Sequence, residues 1–184
     1  MSSEIIATAR ISSNSSLAER IKQHRRATGT FLLLDCSYSM SEEIAPNQTA
    51  IQKLRSVARQ LRADLPSVQQ VAFPVEGAAA REIAADIPDV GGNGTPLAEA
   101  IDYCAGRGAA HLIVVSDGAP NDPPRALIAA KQSRCKIDVV FIGRPGDPGE
   151  RFLRDLARQS GGSCDTLDLA TKALGTKIRG LLSA

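Results

Sequence analysis

Two short apolar runs, each stopped by an aspartate, constrain the fold of this chain more than any other feature of its sequence. Phe31-Leu32-Leu33-Leu34 ends at Asp35, and His111-Leu112-Ile113-Val114-Val115 ends at Ser116-Asp117-Gly118. Neither run alternates with polar residues. Continuous apolar stretches of this length suit strands covered on both faces, as in a parallel sheet flanked by helices. Ile137 to Ile142, ending at Gly143, reads the same way, and Val68 to Val75 supplies a further strand. Arg81 to Ala84 reads as a short edge strand.

Helical segments separate these runs. Across residues 49–65, Ile51, Leu54, Val57, Ala58, Leu61 and Leu65 share one stripe, while Lys53, Arg55, Arg59 and Arg62 fall elsewhere. Thr95-Pro96, Asp122-Pro123 and Asp147-Pro148 each pair a good capping residue with proline at the first helical position. Gly161-Gly162 closes the third of these helices. A last helix from about Asp168 carries Leu169, Ala173, Leu174, Ile178, Leu181 and Leu182. Gly175 weakens it by about 1 kcal/mol of helix propensity. The alternation predicts an α/β fold: a doubly wound, mostly parallel central sheet flanked by helices, Rossmann-like, with one short antiparallel edge strand. Ligands of such sheets sit outside the carboxyl ends of the strands, at a topological switch point.

The regular pattern begins near Gly29. Residues 1–27 read as a polar, Ser-rich arm followed by a short basic helix, with Leu17 and Ile21 on one face and Arg20, His24 and Arg25 around the rest. Residues 28–184 read as the domain, and 184 residues in all suit one such unit. With no Trp and 3% aromatic residues, the core must be built from Leu, Ile, Val and Ala. The net charge of +2 gives no reason to expect a nucleic-acid or membrane partner. Cys36, Cys104, Cys135 and Cys164 are widely spaced without a C-x-x-C pair, which argues against zinc and against a disulfide framework. No secretory signal or membrane-spanning run is present in the sequence. The expectation is a soluble cytoplasmic protein with free thiols.

The chemistry is sought where the strands end. Asp35-Cys36-Ser37-Tyr38-Ser39-Met40 follows the first strand directly and has the form Asp-x-Ser-x-Ser. A turn there can aim a carboxylate and two hydroxyls at one point. All three are hard oxygen donors, the type that magnesium and manganese prefer.

Asp-x-Ser-x-Ser-Met after an apolar strand resembles the metal-ion-dependent adhesion site of von Willebrand factor A-type (vWA) domains. Gly91-Gly92-Asn93-Gly94-Thr95-Pro96-Leu97 is similar to that family's glycine-rich Gly-Thr-Pro loop, and Val114 to Gly118 resembles its Ser/Thr-Asp-Gly strand end. Phe152 to Gly162 with a short strand around Cys164 resembles its closing helix and strand. The likeness runs in order from Gly29 to Ala184. It implies a vWA-like fold in a stand-alone intracellular protein, with Ser37 and Ser39 as direct hydroxyl ligands and Thr95 as a conditional one. Asp35 and Asp117 would be carboxylates acting largely through water. The implied ion is Mg2+, with Mn2+ or Ca2+ as alternatives. The implied partner is another protein that supplies an Asp or Glu to the metal, in an adaptor role within an assembly such as an AAA-type ATPase.

Other readings stand beside this one. Asp35, Ser37 and Ser39 also suit a plain turn, and Thr95 a helix cap. Asn121 and Asp122 suit either the site rim or, for Asp122, a cap. Tyr38 either contacts a partner or packs. His24 and His111 have no carboxylate or Cys companion evident in the sequence, and Cys36 reads as buried and inert. The glycines of residues 91–94 would let that loop move at low steric cost. A magnesium-dependent hydrolase or phosphatase is the alternative enzyme class. The usual second Asp, two positions after an Asp nucleophile, is replaced by Ser37, which is a poor general acid. A structural vWA domain without a working metal is the third class.

Overall fold

The computed structural model describes residues 29–88, 91–143, 145–167 and 173–183. The arm and basic helix expected over residues 1–27 lie outside the described residues, as do Asp168 and Leu169 of the expected last helix.

The expected sheet is present. Strands β1 (Thr30–Asp35), β4 (Gln69–Phe73), β6 (His111–Ser116), β7 (Lys136–Ile142) and β8 (Cys164–Leu167) run parallel, and β5 (Arg81–Glu82) pairs antiparallel on the edge of β4. The order is β5-β4-β1-β6-β7-β8. From β1 the chain winds outward through β4, then returns to place β6 on the other side of β1. The crevice between the carboxyl ends of β1 and β6 is therefore the switch point. A small antiparallel hairpin, β2 (Glu43–Ala45) and β3 (Gln48–Thr49), stands apart and was not anticipated. Its strands are too short to show a period, and its turn uses Asn47 at a left-handed φ of 60°.

Five α-helices among the described residues cover the two faces: α1 (Ala50–Asp64), α2 (Leu97–Ala105), α3 (Pro123–Ser133), α4 (Pro148–Gln159) and α5 (Ala173–Ser183). Alternate residues of each strand point to opposite layers. Phe31 and Leu33 of β1 join Leu112, Val114, Val139 and Phe141 in a core closed by α2, α3 and α4. Leu32 and Leu34 join Ala72, Ile113, Val115 and Val140 in a second core closed by α1 and α5. Both faces are covered, which is why the strands carry no polar alternation. On α1 the expected stripe of Ile51, Leu54, Val57, Ala58 and Leu61 is buried. Each large side chain there is worth roughly 1.5–3 kcal/mol of apolar burial.

The helix starts follow the sequence in two cases and depart from it in a third. Asp122 caps α3, its side chain accepting from the Arg125 N–H at 3.0 Å, with Pro123 first in the helix. Asp147 precedes Pro148 at the start of α4, without a side-chain hydrogen bond into that helix. Helix α2, however, begins at Leu97, so Pro96 rather than Thr95 holds the cap position, and no side chain caps it. Thr95 accepts the Leu97 N–H through its backbone carbonyl at 2.8 Å. Its side chain is thus released from the capping role considered above.

At the amino end of the sheet, His111 has the carboxylate companion that the sequence did not reveal. Its Nε2 lies 2.8 Å from Asp138 Oδ2, and Lys136 Nζ lies 2.9 Å from the same oxygen. Ser163 donates to Asp138 Oδ1 from its backbone N–H at 2.7 Å and its hydroxyl at 2.9 Å. Burial alone would raise the pKa of Asp138. The hydrogen bonds from His111, Lys136 and Ser163 outweigh it and hold the carboxyl well below the usual range. The two residues lie 27 apart in sequence and meet only through strand pairing.

Candidate metal centre

Asp35 is the last residue of β1 and is fully buried. Its Oδ1 accepts the Ser37 N–H at 2.8 Å, which bends the chain so that Ser37 turns back over the strand end. Its Oδ2 accepts the hydroxyl of Ser116, the last residue of β6, at 2.5 Å. The Ser37 and Ser39 hydroxyls lie 3.0 Å apart, and Ser39 Oγ donates to Asp117 Oδ1 at 2.9 Å. A short 3-10 helix, Tyr38–Ser41, presents Ser39 to that contact and buries Met40 beneath it. Four of the five expected site residues therefore form one connected group at the switch point.

Thr95 arrives by backbone contacts. Gly91 donates its N–H to the Cys36 carbonyl at 2.8 Å, and Tyr38 donates its own to Gly92 at 3.1 Å. Three positions further on, Thr95 is buried, with its N–H donated to Asn121 Oδ1 at 2.8 Å and its carbonyl accepting the Asn121 N–H at 3.1 Å. The glycines have a packing reason rather than only a conformational one. A Cβ on Gly91 would lie 2.0 Å from the Pro74 carbonyl oxygen. At Gly94, φ is +89°, and a Cβ would lie 2.5 Å from Asn121 Oδ1.

Sequence reasoning missed Ser116 as a support of Asp35 and Asn121 as the partner of Thr95. Ser116 was legible in principle, since it ends the strand that pairs with β1. Asn121 was expected only at the site rim, because its contact with Thr95 depends on how the loop after β6 folds back. Tyr38 stands on the rim and is 66% exposed, so it does not pack into the core. Cys36 is buried. Burial first, and then the neighbouring Asp35, push its thiol up to about 12, so it stays protonated and unreactive.

The electrostatics of the group are one-sided. Burial raises the pKa of Asp35, against the pull of its hydrogen bonds from Ser116 and Ser37. Burial, then the charge of Asp35, pushes Asp117 up to about 7, with the Ser39 hydroxyl acting in the opposite direction. Among the described residues no Lys, Arg or His forms an ion pair with either carboxylate. Two desolvated carboxylates beside neutral hydroxyls suit a hard divalent cation. Among the described residues no three His, Cys, Asp or Glu side chains cluster as a metal site, so a cation here would rely on hydroxyl oxygens.

No protein-family model matches the sequence, and no curated protein matches it significantly. Solved structures do match its shape. A von Willebrand factor type A protein from Catenulispora acidiphila superposes with a TM-score of 0.58 at 20% identity, over 84% of this chain. This chain spans 41% of that one. The SpRpn10 VWA domain superposes with a TM-score of 0.56 at 14% identity, covering 82% of this chain and 93% of the domain. The fold is of the vWA type. Within it, the carboxyl ends of β1 and β6 and the Gly91–Thr95 loop meet at the crevice described above. Among the described residues no helix is long and apolar enough to cross a membrane.

Proposed function

We propose that this vWA domain is a metal-dependent protein-interaction module. Asp35, Ser37, Ser39, Thr95 and Asp117 would hold one Mg2+, with Mn2+ or Ca2+ able to replace it. The observation that carries this reading is the buried carboxylate of Asp35 and the half-buried one of Asp117, joined by Ser37 and Ser39 and without a basic partner among the described residues. Bound there, the ion supplies an electrophilic position for an Asp or Glu carboxylate of another protein. The chain itself sets the remaining terms. Ser37 and Ser39 offer neutral oxygens, so the ion keeps its demand for an incoming anion. Tyr38 stands exposed beside the site, where it meets what approaches. The module acts as an adaptor in a cytoplasmic assembly, of which an AAA-type ATPase is one candidate. The free cysteines Cys36, Cys104, Cys135 and Cys164 suit a reducing compartment.

The test uses Mn2+ as probe and acetate as the minimal carboxylate. Mn2+ at 100 times its dissociation constant should stabilise the fold by about 2.7 kcal/mol, read from thermal melts. Acetate should tighten Mn2+ binding measured by electron paramagnetic resonance, and Asp35→Ala should remove both effects. A melting curve indifferent to Mn2+ and Mg2+ would overturn the reading. So would metal-dependent hydrolysis of p-nitrophenyl phosphate that Asp35→Ala abolishes.

A further inference from the structure

Three loops surround the crevice, and their hydrogen bonds close a ring. The loop after β1 meets the glycine loop through Gly91 to Cys36 and Tyr38 to Gly92. The loop after β1 meets the loop after β6 through Ser39 and Asp117. The glycine loop meets the loop after β6 at Asn121, which supplies both hydrogen bonds to Thr95.

We infer that Asn121 is the positioning residue that fixes Thr95 against Ser37 and Ser39, and so sets the strength of metal binding. The inference rests on the metal-binding reading above. Its basis is the two-sided grip. Asn121 Oδ1 takes the Thr95 N–H at 2.8 Å, and the Asn121 N–H takes the Thr95 carbonyl at 3.1 Å. Both polar groups of one peptide residue are then engaged by a single partner, as in a strand pair with a side chain replacing one backbone group. Moving Thr95 away from Asn121 breaks both bonds together. Gly94 completes the fit. Its missing side chain admits the Asn121 amide, since a Cβ would lie 2.5 Å from Oδ1 and 2.7 Å from Nδ2. Asn121 is itself exposed, so its contacts serve the loop rather than a core.

The test compares wild type with Asn121→Ala and Asn121→Asp. Asp keeps an acceptor for the Thr95 N–H, and Ala removes it. Hydrogen exchange of the Thr95 amide, followed by NMR without metal, reads the grip itself. Exchange should quicken about tenfold in Asn121→Ala and stay near wild type in Asn121→Asp, as expected for loss of one hydrogen bond. Mn2+ should bind Asn121→Ala about tenfold more weakly, while its metal-free melting temperature stays close to wild type. Unchanged Thr95 exchange in Asn121→Ala would overturn the inference. Unchanged Mn2+ affinity in Asn121→Ala, from a wild type that binds Mn2+, would overturn this inference alone. A wild type that binds no Mn2+ overturns both readings, and the two failures are told apart by the wild-type titration.

Discussion

The two ends of this sheet each bury a carboxylate, and they neutralise it in opposite ways. At the amino end, Asp138 is served by His111, Lys136 and two donors of Ser163. At the carboxyl end, Asp35 and Asp117 meet hydroxyls and backbone N–H groups, with no cation among the described residues. Strand β6 touches both clusters, with His111 at its start and Ser116 at its end, so they lie about 16 Å apart by strand rise. The first cluster carries its own cation, Lys136, and is complete within the fold. The second holds two carboxylates that form no ion pair among the described residues, and on the proposed reading a metal ion takes that place. A buried charge is costly unless paired, so on the proposed reading the first cluster is structural and the second is the one that binds.

Breaking the complete cluster should have the largest effect. Asp138→Ala strands the donors of His111, Lys136 and Ser163, and the fold should lose about 3 kcal/mol, measured by urea denaturation. Mn2+ affinity of the folded fraction should not change. Asp35→Asn should do the reverse. Mn2+ affinity should fall about a hundredfold, close to 2.7 kcal/mol. Metal-free stability should hold or rise, because a desolvated charge has been removed. If both substitutions act on stability alone, the contrast between the two ends fails.

The pH dependence sharpens the contrast, because the two ends shift in opposite directions. Asp117 titrates near 3.8 when unfolded and about 7 in the fold. The folded state then binds the extra proton, so metal-free stability should fall as pH rises from about 4 to about 7. Asp138 is held below its unfolded value of 3.8. Its contribution is present above that pH and is lost as pH falls further into the acid range. Thermal melts without metal should show both limbs. Asp117→Asn should shrink the limb between pH 4 and 7, and Asp138→Asn the acid limb. Added Mn2+ should oppose the fall toward pH 7, since proton and metal compete for the same carboxylates. A metal-free stability that climbs steadily from pH 4 to pH 7 contradicts the assignment of Asp117.

The same contrast explains what could be read from the sequence. The strands were legible because apolar runs such as Leu32 to Leu34 are buried on both faces and carry a simple signal. Four of the five candidate site residues stand out in the sequence because each closes a strand or follows it within a few positions. Asp35, Ser37 and Ser39 are local to one turn, and Asp117 follows Ser116 directly. The pairing of His111 with Asp138 was not legible, since it is set by the register that places Ile113 beside Asp138 and His111 beside Lys136. The reach of Asn121 to Thr95 was hidden for the same reason. It spans 26 residues and depends on a loop without a periodic pattern. Reading Thr95 as the cap of α2 was off by one residue, since that helix begins at Leu97 and Pro96 holds the cap position.

The smallest effects come from the serine that supports each carboxylate, and they refine the comparison. Ser163→Ala removes the hydroxyl bond to Asp138 but leaves the backbone N–H at 2.7 Å. It should cost about 1 kcal/mol of stability and leave Mn2+ binding untouched. Ser116→Ala removes the 2.5 Å donor to Asp35 Oδ2, which has no cation to replace it. The freed oxygen becomes a better proton acceptor, and the carboxylate is less firmly aimed. Mn2+ binding should weaken several-fold, because the carboxylate has lost the donor that orients it. Equal losses of stability from the two alanines, with Mn2+ affinity unmoved by either, would mean that Ser116 serves the fold as Ser163 does.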